Sequence, residues 1–289
     1  MEKKGINGAL LIFLCGIVWS FGSVLNKWIP WSAFSIIGGR SILAALVFGL
    51  YRGSFKPRMT RGTWLGGLGV MTTSALFIVA TKLTSAANAI VLQYAMPIVV
   101  IFAGWLIYKQ KPKRLDVTAS LIVLFGILLC FLGGLGGGSV LGDALALLSA
   151  FTFAVVFFAA RMPDTDPADY TYLGSLLNCV FLLFIPFDKG FTATPGAFLG
   201  ILAAGLCLSG GYLLFTAGMR KQVSPVTASI MTNIEPILSP VWVFLFLGEN
   251  PGPLSLFGSL LVIVTISAYG ILKNKALNRP APMAEGVSG

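Results

Sequence analysis

The stretch TNIEPILSP, residues 232–240, places an acid and two prolines inside a long apolar run. If that run crosses a bilayer, a charge near its centre costs about 2.5–3.5 kcal/mol and is expected to face a cavity or a partner. Glu235 is therefore a candidate for carrying a proton or for holding a substrate cation. A static ion pair, or a hydrogen-bonded structural acid, would also account for it. Pro236 and its counterpart Pro97 each lack an N–H, which leaves the carbonyls of Thr232 and Gln93 without helical partners. Such carbonyls are tolerated where they line a watery cavity or form a hinge, or where neighbouring helices satisfy them. Arg40 is a second charge inside an apolar run. It is open to three roles: partner of Glu235, anchor for a substrate carboxylate, or packing device that binds backbone carbonyls. A permanently charged guanidinium needs several acceptors in any of them. Trp19, Tyr94, Phe153, Tyr212 and Trp242 bring rings, and Asn88, Gln93 and Asn233 bring amides, into similar runs. Together with Thr232 and Glu235 they form a candidate substrate-binding set, since rings can stack on flat solutes or sit over cations. Ordinary packing is the competing account of each ring.

These residues are carried by elements that composition identifies. The 289-residue chain is 56% hydrophobic and 10% charged, with no histidine and a net charge of +10. Soluble domains carry roughly 25% charged residues, so the chain reads as an integral membrane protein. Its first apolar stretch runs on through FGSVLNKW, beyond a signal-peptide core, and reads as a retained helix. A span needs about 20 apolar residues, and ten are expected: 6–27, 32–51, 62–82, 85–108, 115–133, 140–161, 168–187, 196–218, 225–247 and 254–273. Asp166-Pro167, Thr194-Pro195 and Ser224-Pro225 have the form of helix starts. Sixteen Lys and Arg fall on the side of the N-terminus, against Lys27, Lys82 and Lys189 on the other. That asymmetry predicts both termini in the cytoplasm of a bacterial inner-membrane protein. The basic residues lie in short clusters between apolar runs, which argues against nucleic acid as a partner. Trp28 and Trp31 are expected as interface-belt residues, and residues 274–289 as a disordered cytoplasmic tail.

Several chemistries are excluded. Without histidine there is no Ser-His or metal-His route, and a lone acid at mid-depth cannot act as a carboxylate pair. GGLGGG, residues 133–138, is no phosphate loop, because no Lys-Ser/Thr comes after it. Asp164, Asp166 and Asp169 read as helix-capping acids rather than a metal site, and the four cysteines as small buried hydrophobes. No cofactor, metal or catalytic residue is expected. Neither a TVGYG-like filter nor a ring of charges supports a channel.

The chain also repeats. A shift of 139 lays 85–99 over 224–238, matching the opening Ser and the Pro-Ile pair and setting Met96 opposite Glu235. A shift of 134 lays Trp19 over Phe153 and Lys27 over Arg161. Five spans per half is an odd number, so the second half inserts upside down. Inverted halves with proline-interrupted helices in matching places point to a secondary transporter with a midplane site. The expectation is an all-α membrane fold of two inverted five-helix repeats, 1–134 and 135–273.

WSFGSVLNK (19–27), Arg40 in GGRSILAAL, TSAANAIVLQYAMPI opening span four, IEPI (234–237) and LGEN (247–250) succeed one another in order along these spans. In this the chain resembles the drug/metabolite transporter superfamily, EamA type, over about residues 7–273. Lys109-Gln110 stands where the second half has Gly248-Glu249, so the helix-end acid has no twin in the first half. The resemblance implies a carrier of small metabolites, with the site bounded by spans 1, 3, 4, 6, 8 and 9 and with spans 5 and 10 outside it. An amino acid, aromatic or hydrophobic, is the expected solute, with a choline-like amine as the alternative and a channel or membrane enzyme as remote ones. Its partners would be that solute, the lipid bilayer, and protons or a counter-solute, in a monomer or homodimer.

Overall fold

A computed structural model describes residues 7–84, 89, 92–109, 111–132, 139–247 and 253–277. Helices α1 (Gly8–Trp28), α2 (Ala33–Tyr51), α3 (Arg61–Leu83), α4 (Met96–Tyr108) and α5 (Arg114–Phe131) make up the first half. The second contains α6 (Val140–Ala159), α7 (Pro167–Asn178), α8 (Pro195–Arg220), α9 (Pro225–Thr232), α10 (Glu235–Leu247) and α11 (Pro253–Leu277). α7 tightens into a 3₁₀ segment, Cys179–Phe187, which holds Pro186. No strand occurs among the described residues. Among the described residues, six helical stretches are long and apolar enough to cross a membrane: Ala33–Tyr51, Arg61–Ala80, Val140–Ala159, Pro167–Phe187, Pro195–Arg220 and Leu256–Lys273. Gly8–Gly22 and Met96–Ile107 are shorter apolar helices. Large apolar side chains such as Leu50, Leu183 and Phe246 stand exposed on the outside. A soluble protein rarely shows such a surface over a wide area.

Local chemistry sets the starts. Asn7, Ser32, Thr60, Ser139, Asp166, Thr194 and Ser224 each accept a backbone N–H from the first turn of the helix they precede. Each such cap is worth about 1 kcal/mol. Asp166, Thr194 and Ser224 are each succeeded by Pro at the first helical position, as their sequence suggests.

The helix between 92 and 108 breaks at Tyr94–Ala95, and the one between 225 and 247 breaks at Asn233–Ile234. These breaks are 139 residues apart, and Pro97 and Pro236 each stand second in the helix that resumes. A proline there needs no N–H partner, so the chain restarts its ladder after each turn.

Packing obeys the same exchange of halves. α1 lies on α8 as α6 lies on α3, and α2 lies on α8 as α7 lies on α3. α1 packs on α9 and α10 as α6 packs on α4, while α5 pairs with α11. The GGLG run of α3 allows the tight part of this: a Cβ on Gly66 would meet Tyr170 at 2.5 Å, and one on Gly67 would meet Leu173 at 2.9 Å.

Polar ties lock the ends. At the face where α1 begins, Arg52 pairs with Asp169 in a half-sealed ion pair and also donates to the carbonyls of Ser54 and Lys56. Arg220 pairs with Asp166 at 2.6 Å and donates to the Tyr51 hydroxyl at 2.8 Å. The capping reading of the acids thus holds for Asp166, while Asp169 has a larger task than capping. Asp116, buried in the first turn of α5, accepts from Tyr269 at 2.9 Å and Lys273 at 2.5 Å, fastening α11 to α5. At the opposite face Asp188 accepts the Ser32 N–H at 2.6 Å. The Trp31 indole donates to the Thr192 carbonyl at 2.9 Å and packs against Phe191 and Phe198. This corrects the belt expectation for Trp31, which is only 6% exposed; Trp28, at 62%, stands outside. The difference arises because Trp31 precedes the Ser32 cap and turns in over α8.

Candidate functional site

The interior holds a cavity of about 170 Å³. Its walls come from α1 (Trp19, Gly22), α2 (Arg40), α3 (Thr73, Ser74, Phe77, Ile78), the turn before α4 (Gln93, Tyr94) and α6 (Phe153). α8 (Ala204, Cys207, Leu208, Tyr212) and α10 (Glu235, Pro236, Ser239) complete them. Helices of both halves therefore contribute, and both chain breaks end at it.

Trp19 is the hub of one wall. Its indole N–H points to the Leu208 carbonyl at 3.5 Å, and its ring meets Tyr212 edge-on at 4.9 Å and Phe153 at 6.1 Å. Behind it Phe157 and Phe215, both fully buried, contact one another at 5.2 Å, and Phe215 stacks on Trp19 at 6.2 Å. Phe157 and Phe215 lie one turn nearer the ends of α6 and α8 than Phe153 and Tyr212, the rings that line the cavity. Gly211 makes room for Trp19, because a Cβ there would stand 2.1 Å from the indole nitrogen.

Polar and charged groups complete the lining. Glu235 is the first residue of α10, and its carboxylate accepts the Tyr94 hydroxyl. A helix N-terminus carries positive partial charge, which favours an acid at that place. Arg40 interacts electrostatically with Glu235, but among the described residues no direct ion pair joins them. The Arg40 Nε is buried without a hydrogen-bond partner among the described residues. Ser239 bonds inward to the carbonyls of Ser20 and Glu235, at 3.3 and 3.0 Å. The Trp242 indole donates to Ser20 at 2.7 Å, holding α10 to α1 instead of facing the cavity.

Six of the nine residues proposed from sequence for substrate binding line this cavity: Trp19, Gln93, Tyr94, Phe153, Tyr212 and Glu235. Thr232 and Asn233 do not. Thr232 is buried, and its hydroxyl bonds back to Ala228 and Ser229 of its own helix. Its backbone packs against α1 at Gly16, where a Cβ would come within 3.1 Å of the Thr232 carbonyl. Asn233 is fully buried, and neither amide atom has a partner among the described residues. Asn88 lies outside the described residues, as do Gly248 and Glu249. Of the two prolines, Pro236 borders the cavity and Pro97 does not. Thr73, Ser74, Cys207 and Ser239 were not singled out from sequence. Small polar residues in apolar helices give no signal that separates a cavity face from a packed one. Thr73 shares a 2.9 Å hydrogen bond with Thr152 of α6, so its hydroxyl already has a partner. Among the described residues no cluster of Cys, Asp or Glu is arranged to hold a metal.

Comparison with known proteins agrees with this architecture. The EamA-like transporter family model matches twice, over residues 6–132 and 140–270. An uncharacterized transporter of Clostridium kluyveri is 25% identical over 235 residues, 75% of this chain and 72% of that one. The uncharacterized transporter YxxF of Bacillus subtilis (strain 168) is 24% identical over 212 residues, 70% of this chain and 66% of that one. One crystal structure superposes with a TM-score of 0.76 at 19% identity, covering 94% of this chain and 99% of the other, a likeness of fold.

Proposed function

Because the chain belongs to the EamA-like transporter family, we propose that it is a secondary carrier that moves an amino acid with an apolar or aromatic side chain across a bacterial inner membrane by alternating access. The observation that carries this reading is the cavity, which lies between helices of both halves and where both interrupted spans end. Trp19, Phe153 and Tyr212 supply a wall for an apolar side chain, and Gln93, Tyr94 and Glu235 supply polar contacts. Pro97 and Pro236 act as hinges, since each restarts a helix that has no continuous ladder through the break. The aromatic layer beneath Trp19, with the Arg52–Asp169 and Arg220–Asp166 pairs beyond it, closes one face. The inverted halves would rock to exchange that closure for one at the other face. Glu235 carries the coupling proton or, in antiport, meets the counter-solute. The carrier works as a monomer or homodimer with both termini in the cytoplasm.

A choline-like amine is the second reading, favoured by an acid that lines the same cavity as the rings of Trp19 and Tyr212. Counterflow in proteoliposomes tests both. Labelled phenylalanine or leucine should enter against a trapped unlabelled pool, and choline should not. Exchange of choline alone selects the second reading, and exchange of neither solute removes both.

A further inference from the structure

We propose that Arg40 is the carboxylate anchor of the cavity, which makes the site dipolar and selects a zwitterion over either an amine or a carboxylic acid. The inference rests on the amino-acid carrier reading and sharpens it. A guanidinium has five donor hydrogens and cannot shed its charge. In this protein it lines a cavity inside the helix bundle; its Nε is buried without a hydrogen-bond partner, and no direct ion pair to it is found among the described residues. A cation kept that way is expensive unless something in the cavity meets it. Its backbone is fixed: the Arg40 carbonyl lies so close to α8 that a Cβ on Gly205 would come within 3.1 Å of it. The side chain leaves α2 into a cavity that Cys207 and Tyr212 of α8 also line.

The acid of the site is elsewhere. Glu235 begins α10 and lines the same cavity, and no direct ion pair joins it to Arg40 among the described residues. Two opposite charges that share a cavity and do not neutralise each other leave a gap with a negative and a positive end. An α-amino acid fits that gap: its carboxylate accepts paired N–H bonds from the guanidinium, its ammonium faces Glu235, and its side chain lies on the Trp19 wall. A monocation would leave Arg40 unmet, and a monoanion would leave Glu235 unmet.

The test uses the purified full-length chain in detergent and ligand-induced thermal stabilisation. The probes are leucine with 3-methylbutylamine and 4-methylpentanoate, and phenylalanine with phenethylamine and 3-phenylpropanoate. In each set the amino acid should stabilise at about tenfold lower concentration or better than the amine or the acid, because each analogue leaves one charge of the cavity unpaired. Arg40→Gln should erase the preference of amino acid over amine, while Glu235→Gln erases the preference over the acid. An amine that stabilises the unaltered protein as well as its amino acid does overturns the role of Arg40 and leaves a carrier of amines standing. If no member of either set stabilises the protein, the amino-acid reading falls, and this inference falls with it. Should Arg40→Gln fail to fold, the ranking of probes on the unaltered protein still decides the matter.

Discussion

The Tyr94 hydroxyl donates a hydrogen bond to the Glu235 carboxylate. Tyr94 lies in the break of the first half's interrupted span, and Glu235 comes directly after the equivalent break of the second. The bond therefore joins the two discontinuities of the fold across the cavity. It sets the carboxylate at the start of α10, where the helix dipole favours it. A movement that separates the halves has to stretch or break this contact.

Glu235→Gln keeps the shape of the side chain and removes its ability to carry a proton. The variant should fold, and its transport rate in proteoliposomes should no longer vary with pH. An unaltered pH profile in Glu235→Gln would assign coupling to another group. Tyr94→Phe, which deletes the donor alone, should keep a pH dependence and shift it.

Trp19→Ala should weaken substrate affinity by about 2- to 13-fold, the range of a ring contact worth roughly 0.5–1.5 kcal/mol. Gly211→Ala should mimic it without touching the ring, since the added Cβ would stand 2.1 Å from the indole nitrogen and push it aside. Overpacking of this kind also costs about 1–3 kcal/mol of stability. Measured Kd values equal to that of the unaltered protein in both variants would place the indole outside the binding surface.

The ion pairs at the face where α1 begins differ in burial, which ranks their mutants. The side chains of Arg52 and Asp169 are 10% and 12% exposed, whereas those of Arg58 and Asp164 are 69% and 75% exposed. Asp169→Asn strands a half-sealed guanidinium and should cost about 3–5 kcal/mol. Asp164→Asn should cost about 0–1 kcal/mol. Melting temperatures in one detergent compare them directly, and equal losses would contradict the burial argument.

Asp188 supplies a pH dependence outside the membrane spans. Partial burial raises its pKa, but hydrogen bonds from Ser35, Ser32 and Gly190 outweigh that and hold the carboxyl below its usual range. A lowered folded-state pKa gives stability that is present above the unfolded value and lost as pH falls through the folded one. The tie between Asp188 and the start of α2 should therefore weaken as pH drops below about 4. Asp188→Asn should lower the melting temperature at neutral pH and flatten its decline between neutral and acidic pH. A decline as steep as that of the unaltered protein would shift the effect to other acids.

The division between sequence and tertiary structure can be seen in single turns of helix. Sparse charge, long apolar runs and the Ser/Thr/Asp-Pro starts determined an all-helical membrane chain, because unpaired backbone cannot lie in lipid and each cap satisfies a local N–H. The 139-residue offset showed where both interrupted spans would break, since a missing N–H acts within its own turn. That reasoning reached Trp19, Phe153, Tyr212, Gln93, Tyr94 and Glu235. It could not tell that Glu235 faces the cavity while Asn233 and Thr232, two and three residues earlier, do not. A chain break rotates the helix beyond it, and tertiary packing, such as that of Thr232 and Ile234 against Gly16 of α1, fixes that rotation. It left Arg40 open among three roles, because the choice depends on which groups of α8 and α10 come near the guanidinium. It overlooked Thr73, Ser74 and Cys207, since the face a small residue presents is set by neighbouring helices. Local hydrogen-bonding rules act along the chain, whereas a cavity is the gap left between helices that are distant in sequence, so its lining is decided only when they pack.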